Sequence, residues 1–220
     1  MIGIIDYGAG NLASVVNMLR SLGIPSRQVA SSGDLEGVER VILPGVGHFD
    51  YGMAQLASRG LIDPLHRVVR DQGTPLMGIC LGAQLITRGS EEGELPGLGW
   101  IDADVVAFDR SRMAEGLRVP HMGWAETWAA SACDANSATP SVWAEALSPG
   151  SRFYFVHSFH LDCDADESAI LRAHHGYEFA AGAERGNVVG FQFHPEKSHR
   201  YGRRILEAFA SWRPSAEGLG

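Results

Sequence analysis

Residues 75–85 have the sequence PLMGICLGAQL, and this stretch decides the fold class. Its first five residues are largely apolar and predict a short buried strand, and a helix is predicted through Gln84 and Leu85. Between them lies Gly78-Ile79-Cys80-Leu81-Gly82, the cysteine version of the G-x-S-x-G turn that presents a nucleophile between a strand and a helix. The stretch therefore predicts an α/β protein with a reactive cysteine at residue 80.

The chain before this stretch shows the same alternation of strand and helix. Strands are predicted at residues 1–5 and 38–44, because both are short apolar runs that end in glycine-containing turns. Apolar residues recur at helical spacing over 12–22, and a second helical stretch includes Leu56 and Val68. Such alternation is typical of a mostly parallel central sheet flanked by helices on both faces.

Beyond Leu98 the pattern changes, and additional strands are expected in the C-terminal half. Strand-like runs lie at 100–108, 152–159, 178–185 and 188–193. A last helix is predicted at 201–212, followed by a frayed polar tail at 213–220. Residues 125–150 are rich in Ala, Ser and Pro and show no clear pattern. We expect one domain over residues 1–212.

Composition excludes several classes of function. The 220 residues carry a formal net charge of −8, which gives no electrostatic footprint for nucleic acid. The N-terminal sequence has no basic segment before an apolar one, and we find no apolar run near the roughly 18 residues of a membrane span. The three cysteines form no C-x-x-C pair. These features predict a soluble cytoplasmic protein without nucleic-acid or membrane partners.

Cys80 is the strongest candidate for chemistry. A turn between strand and helix would place its sulfur near free N–H groups at the start of a helix, where a thiolate is favoured. The backbone N–H of Leu81 could then help to bind an oxyanion. Most free cysteines are small buried hydrophobes, and we interpret Cys133 and Cys163 in that way. The flanking glycines favour catalysis for Cys80.

His194 and Glu196 are the candidates for the base and its orienting acid. They follow the predicted strand at residues 188–193, and Pro195 favours an extended backbone at His194. Residues i and i+2 of an extended chain face the same way, so the Glu196 carboxylate can approach the imidazole. A strand-end histidine without a special role is the alternative. A metal site would need further clustered ligands, which the sequence lacks.

A rival hypothesis from another class of protein is dinucleotide binding. Gly8-x-Gly10-x-x-Ala13 fits the G-x-G-x-x-G/A pattern between a predicted strand and helix, and Asp34 follows at a suitable distance. One such glycine pattern is weak evidence by itself. It also leaves the Cys80, His194 and Glu196 set unexplained.

The motifs together resemble those of class I glutamine amidotransferases. The resemblance to this family rests on Cys-Leu-Gly-x-Gln at 80–84 and Gln-Phe-His-Pro-Glu at 192–196. Further pieces are similar to the glutaminase subunits of imidazole glycerol phosphate synthases: 5–11 (IDYGAGN), 43–47 (LPGVG), 90–93 (SEEG), 119–124 (VPHMGW), 154–158 (YFVHS) and 195–198 (PEKS).

The resemblance implies an activity and a set of roles. Cys80 would attack the side-chain amide of glutamine and give a thioester and ammonia, without a cofactor or a metal. Gly47, Gln84 and Glu92 match positions that hold glutamine. The backbone N–H of Val46 would join that of Leu81 as the oxyanion hole, after the segment 45–47 has reoriented.

The resemblance also implies a partner. In the family, ammonia passes to a (β/α)₈ cyclase subunit that makes imidazole glycerol phosphate and an aminoimidazole carboxamide ribonucleotide in histidine biosynthesis. Asn11, Trp124, Tyr154 and Lys197 match positions that face this cyclase in the heterodimer. Two alternatives keep the same fold: an amidotransferase that serves another acceptor, and a regulatory subunit that binds a partner without chemistry.

Overall fold

Strands and helices alternate along residues 1–130 and 141–214, which are the part of the chain that the computed structural model describes. The strands are β1 (Ile2–Ile5), β2 (Ser26–Val29), β3 (Arg40–Gly45), β4 (Leu76–Cys80), β5 (Ala103–Ala107), β6 (His121–Ala129), β7 (Arg152–His157), β8 (Phe159–Cys163), β9 (Ala169–His175), β10 (Tyr177–Arg185) and β11 (Val188–Phe191). The helices are α1 (Leu12–Ser21), α2 (Phe49–Ser58), α3 (Ile62–His66), α4 (Leu81–Leu85), α5 (Val142–Ala146) and α6 (His199–Ser211). A π turn follows α3 at Arg67–Asp71, and 3₁₀ turns lie at Ser32–Leu35, Arg110–Arg112, Asp166–Ser168 and Pro195–Lys197.

The sheet has a parallel centre and an antiparallel extension. Its main strand order is β2-β1-β3-β4-β11-β10-β9-β6-β7. Outside this order, β8 pairs with both β10 and β5. β2, β1, β3, β4 and β11 pair in parallel, whereas the pairings among the remaining strands are antiparallel. The α/β class and the additional strands in the C-terminal half are confirmed.

The apolar residues of the parallel strands alternate between two cores, one on each face of the sheet. Ile4, Ile42 and Ile79 pack in the core that also contains helices α1 and α6. Val41 and Leu43 of β3 point the other way, into the core that contains α2 and α3. Because both faces are covered at the centre of the sheet, β1, β3 and β4 are mostly apolar, which is why they could be recognised from sequence.

Several predicted element bounds were wrong. The strand expected at 152–159 divides into β7 and β8 around Ser158, and the strand expected at 100–108 is only Ala103–Ala107. The long helical stretch is broken after α2, where Gly60 has a left-handed φ of 63°. β2, β6 and β9 were not predicted from the sequence. These strands lie toward the edges or in the antiparallel extension, where the apolar pattern is weaker.

The pairing of β4 with β11 positions the candidate site. Leu76 to Ile79 of β4 pair in parallel with Val188 to Phe191 of β11. Parallel neighbours end at the same edge of a sheet, so the residues that follow Ile79 and Phe191 come together there. Cys80 and the segment that carries Gln192 and His194 therefore meet, although 112 positions separate Cys80 from Gln192.

Two predictions fall on residues outside the described part. Cys133 lies in 131–140, and the tail predicted at 213–220 falls mostly on residues 215–220. Their assignments remain predictions, as does the single domain over 1–212. Within residues 1–130 and 141–214, we find no helix with the length and apolar character needed to cross a membrane.

Candidate active site

Cys80 lies at the joint between β4 and α4. Its backbone has φ 52° and ψ −109°, a conformation that residues with a side chain rarely adopt. Glycines on either side make this turn possible. A Cβ at position 78 would lie 2.7 Å from the Gly82 carbonyl oxygen, and a Cβ at position 82 would overlap the Leu43 carbonyl oxygen. Only glycine fits at both positions, so the G-x-C-x-G spacing has a steric cause.

His194 and Glu196 form a buried pair beyond the end of β11. Nδ1 of His194 lies 2.8 Å from Oε1 of Glu196, and the two side chains are 1% and 3% exposed. The His194 N–H donates to the Tyr154 carbonyl, and its own carbonyl accepts from the Ser198 hydroxyl at 2.6 Å. β7 and the start of α6 therefore hold this segment on both sides.

The imidazole also interacts with Cys80. Burial alone would lower the pKa of His194, but hydrogen bonding to Cys80 and Glu196 and their negative charges outweigh it and raise the pKa to about 9. Because Nδ1 is bound to Glu196, Nε2 is the ring nitrogen left for the thiol. Nε2 is buried and makes no hydrogen bond of regular geometry within the described residues. The arrangement suits transfer of a proton between Cys80 and His194.

A cavity of about 360 Å³ opens above the Cys80 side chain. Its lining contains the residues predicted for the oxyanion hole and for the substrate, together with a strand-end segment of β7 and β8: Val46, Gly47, Cys80, Leu81, Gln84, Glu92, Pro120, Val156, His157, Ser158 and Phe159. The volume is in the range of small-molecule sites. The structure therefore brings the predicted nucleophile, oxyanion and substrate residues around one cavity.

Polar contacts fix two of these lining residues. Oε2 of Glu92 accepts a hydrogen bond of 2.9 Å from the Phe49 N–H, so the carboxylate rests on the first residue of α2. Nε2 of Gln84 lies 3.4 Å from the Phe159 carbonyl oxygen and 3.2 Å from Oε1 of Gln192. The cavity therefore has a carboxylate on one side and an amide network on the other.

Three residues near Cys80 received no role in the sequence analysis. Gln192 is fully buried, and its Nε2 lies 3.9 Å from the Cys80 sulfur. The Tyr7 hydroxyl is buried and has no hydrogen-bond partner among the described residues, and burial together with the nearby charge of Cys80 raises the pKa of Tyr7. His157 lines the cavity, and burial holds its pKa well below 6.5. Gln192 lies two positions before His194, and residues with this spacing in a strand face the same way. This spacing could have identified Gln192 from the sequence.

Three of the predicted partner residues contact one another on one surface, and the fourth caps a helix. Trp124 packs edge-on against Tyr154 with ring centroids 6.1 Å apart, and Nζ of Lys197 lies 5.8 Å from the Tyr154 ring centroid. We call Met122, Trp124, Tyr154 and Lys197 the β6–β7 face, and Met122 on it is 64% exposed. Asn11 caps the N-terminus of α1 by accepting from the Ser14 N–H.

The dinucleotide hypothesis finds no support in the geometry. The Asp34 carboxylate accepts from the N–H groups of Ala30 and Ser31 and from the Ser31 hydroxyl. It is therefore committed to its own turn rather than to a ribose.

Burial raises the pKa of Cys163 to about 11, in keeping with an unreactive thiol. In the described ranges, no group of three or more His, Cys, Asp or Glu side chains is arranged to hold a metal ion.

Comparison with known families identifies the chain. The family model described as glutamine amidotransferase class-I matches residues 3–211. The chain belongs to the class-I glutamine amidotransferases. Imidazole glycerol phosphate synthase subunit HisH 2 of Pseudomonas aeruginosa is 44% identical over 212 residues, which cover 95% of this chain and 98% of that protein. Subunit HisH of Leptospira borgpetersenii is 38% identical over 211 residues, with 96% and 100% coverage.

Solved structures show the same fold at lower identity. A crystal structure of a glutamine amidotransferase superposes with a TM-score of 0.71 at 21% identity, covering 96% of this chain and 99% of that one. The structure of PurLQS from Thermotoga maritima gives a TM-score of 0.68 at 21% identity, with 94% and 96% coverage. The resemblance seen in the motifs is confirmed, and the chain is a glutamine amidotransferase.

Proposed function

We propose that this chain is the glutaminase subunit of an imidazole glycerol phosphate synthase. It would hydrolyse glutamine to glutamate and ammonia and pass the ammonia to a cyclase subunit in histidine biosynthesis. The observation that carries the chemistry is the buried His194–Glu196 pair, 2.8 Å apart, beside a cysteine on a strained turn. The pathway rests on relatives that bear this subunit's name over nearly their whole length.

The first half of the reaction forms a thioester. The Cys80 sulfur attacks the side-chain carbonyl carbon of glutamine, and the thiol proton resides on Nε2 of His194. Glu196 holds the imidazole by Nδ1 and stabilises its positive charge. As the tetrahedral intermediate collapses, the C–N bond breaks and His194 gives the proton to the departing nitrogen. The products are the glutamyl thioester of Cys80 and ammonia.

The second half restores the enzyme. Water attacks the thioester with His194 as the base, and the C–S bond breaks to give glutamate and free Cys80. Both tetrahedral intermediates place a negative oxygen above the turn. The N–H of Leu81 serves as one donor to this oxygen, and the N–H of Val46 supplies the second when the segment 45–47 is suitably oriented. Losing one such donor typically lowers the rate by about 10²–10³.

The residues that line the cavity recognise the substrate. The Glu92 carboxylate offers a negative partner for the α-ammonium group of glutamine, and Gln84 and Gly47 offer polar groups for the rest of the substrate. No cofactor is needed, because the nucleophile, base and oxyanion donors come from the chain itself.

The proposed partner is a (β/α)₈ cyclase that binds the β6–β7 face, with Asn11 at the same interface, in the cytoplasm. The supporting observation is that exposed Met122 and Trp124 lie beside the Tyr154–Lys197 contact, since aromatic residues and Met are enriched in interfaces.

Replacement of the nucleophile tests the activity. With cyclase and its nucleotide ligand present, Cys80→Ala is expected to lower the rate of glutamate formation by about 10⁴–10⁶, because no covalent intermediate can form. Cys163→Ala is the matched control and should keep the rate within about twofold, since Cys163 lies outside the cavity. Circular dichroism should show both variants folded. Retained hydrolysis in folded Cys80→Ala would overturn the nucleophile assignment.

A further inference from the structure

A buried carboxamide lies beside the proposed nucleophile. Gln192 follows β11, and its backbone N–H donates to the Ala181 carbonyl at 2.9 Å, which fixes the main chain. Its side chain is fully buried, and Nε2 lies 3.9 Å from the Cys80 sulfur. This distance is within the range of an N–H···S hydrogen bond. A second polar side chain, besides His194, is therefore aimed at the reacting atom.

The orientation of this amide follows from a group that can only accept. A backbone carbonyl has no proton to donate, so the Gln84 atom that lies 3.4 Å from the Phe159 oxygen is the amide nitrogen. The same nitrogen lies 3.2 Å from a terminal atom of Gln192, which must then be the oxygen. The remaining terminal atom of Gln192, on the Cys80 side, is the NH₂ group. Gln192 thus presents a donor to the sulfur.

The accepting carbonyl is itself held in place. Nδ1 of His157 lies 2.7 Å from the same Phe159 oxygen and must donate to it. Nε2 of His157 then accepts from Nδ1 of His121, 3.1 Å away, because burial keeps both imidazoles neutral by lowering the pKa of each. A chain of hydrogen bonds therefore anchors the Gln84 amide, and Gln84 anchors Gln192.

We propose that the Gln192 carboxamide is a hydrogen-bond donor to the Cys80 thiolate, and that Gln84 is a positioning residue that acts through Gln192. This inference rests on the proposed function, because it assumes that Cys80 is the nucleophile. His194 loses its proton during the reaction, whereas an amide keeps its protons throughout. Gln192 can therefore stabilise the thiolate both before attack and when sulfur leaves during thioester hydrolysis.

The groups around the sulfur determine how the effect can be measured. His194 interacts with Cys80 from the segment after β11, and Tyr7 does so from the segment after β1. His157 and Glu92 line the same cavity from β7 and from the loop after α4. Gln192 does not titrate. Loss of Gln192 should therefore change the pH at which the Cys80 thiol becomes reactive. The number of titration steps in the pH profile should stay the same.

The test is the rate of Cys80 alkylation by iodoacetamide, followed by mass spectrometry of the Cys80 peptide as a function of pH. In Gln192→Met, which keeps the length of the side chain but lacks the donor, the midpoint of the profile should rise by about one pH unit. The rate near neutral pH should fall about tenfold, which corresponds to one charge-assisted hydrogen bond. The plateau at high pH should stay within about twofold of wild type.

Two further variants keep the test decisive if Gln192→Met does not fold. Gln192→Glu places a negative charge beside the thiolate and should move the midpoint at least as far upward. Gln84→Met leaves Gln192 in place but unanchored, and should give an intermediate rate loss of about threefold near neutral pH. Iodoacetamide lacks the rest of glutamine, so the role of Gln84 in the substrate site does not enter. Profiles that overlay the wild-type profile would overturn the proposal.

Asn187→Leu is the matched control. The Asn187 side chain is buried and donates to the Val69 and Thr74 carbonyls at the far end of β11. Its loss should lower the thermal unfolding midpoint but leave the alkylation profile unchanged. An equal profile shift in this variant would show that the effect comes from weakening β11, and would overturn the specific role of Gln192.

The wild-type protein separates this inference from the proposed function. If wild-type Cys80 is alkylated no faster than Cys163 and glutamine is not hydrolysed, the nucleophile assignment fails, and the inference fails with it. If wild type hydrolyses glutamine and Gln192→Met keeps the wild-type profile, the inference alone fails.

Discussion

Cys80 is held in a conformation that typically costs about 1–3 kcal/mol in a residue with a side chain. The packing of Gly82 against the Leu43 carbonyl and the burial of α4 leave the turn no room to relax. The strain is retained because it directs the sulfur into the cavity and toward His194. At this scale the site is a small set of side chains whose positions depend on one unusual backbone angle.

Titration of His194 should make stability depend on pH. Its folded-state pKa is about 9, compared with an ordinary value of 6.5, so protonated His194 stabilises the fold fully below pH 6.5. This contribution is lost as the pH rises from 6.5 through about 9. We expect the free energy of unfolding in urea to fall over this window.

The Cys80→Ala variant provides the control for this pH dependence. It removes the thiol that helps to raise the pKa of His194 but leaves the hydrogen bond to Glu196. The fall in unfolding free energy between pH 6.5 and 9 should therefore become smaller than in wild type. The same pH dependence in both proteins would contradict the coupling between thiol and imidazole.

At the scale of elements, the joint between β4 and α4 is locked by its neighbour β3. Gly82→Ala should destabilise the protein by about 3 kcal/mol or more, because the new Cβ would overlap the Leu43 carbonyl oxygen. Urea denaturation would measure the change. Loss of glutamine hydrolysis should accompany it, since Leu81 and Cys80 belong to the same turn.

Gly89→Ala is the matched control for this substitution. Apart from the two neighbouring residues, no atom of the described chain lies within 4 Å of a Cβ built at position 89, and the position has no left-handed φ. Its effect on the unfolding free energy should stay within about 0.5 kcal/mol. If Gly82→Ala were tolerated equally well, the steric account of the turn would be wrong.

β11 is the element that completes the site. Its parallel register with β4 places Phe191 beside Ile79, so Gln192 comes next to Cys80 and His194 follows. β10 holds Gln192 from the other side through the Ala181 carbonyl. The segment that follows β11 thus supplies the proposed base, its acid and the proposed amide donor.

At the scale of the whole molecule, the β6–β7 face and the cavity are neighbours, because Met122 of the face pairs with Val156, which lines the cavity. Tyr154 contacts Lys197 on the face, and Val156 and His157 of the same strand line the cavity. β7 also holds the backbone of His194 through Tyr154. A partner bound to the face would therefore touch elements that reach the nucleophile, which gives a physical route for control of glutaminase activity.

Binding of a cyclase should raise the activity. We expect the lone chain to hydrolyse glutamine slowly and the rate to increase as a (β/α)₈ cyclase and its nucleotide ligand are added. Trp124→Ala should raise the cyclase concentration for half-maximal stimulation by about 10–100-fold, since an exposed Trp is a typical interface anchor. Titration of the cyclase in a glutamate-release assay would measure this.

Tyr51→Ala is the control for a general loss of an exposed aromatic ring. Tyr51 is 51% exposed and lies on α2, which contributes no residue to the β6–β7 face. It should leave the stimulation curve unchanged. A lone subunit with full activity would contradict the proposed control by the partner, and equal effects of the two substitutions would contradict the location of the interface.

The sequence alone determined the local features of this protein. The spacing of glycines around Cys80 predicts the turn, and the apolar runs predict β1, β3 and β4. The i, i+2 spacing predicts the approach of Glu196 to His194, and Nδ1 and Oε1 lie 2.8 Å apart, although Glu196 lies in a 3₁₀ turn and not in the extended chain that was expected. These features depend on residues a few positions apart, whose geometry is limited by backbone sterics and by strand periodicity.

Only the tertiary structure decided what surrounds the sulfur. The Gln192–Cys80 and Gln84–Phe159 contacts join residues 112 and 75 positions apart, and they follow from which strands pair and in what register. Tyr7 reaches the same turn from the first strand. Strand register is determined when the whole sheet packs and both of its faces are buried. A local stretch of sequence therefore cannot specify it.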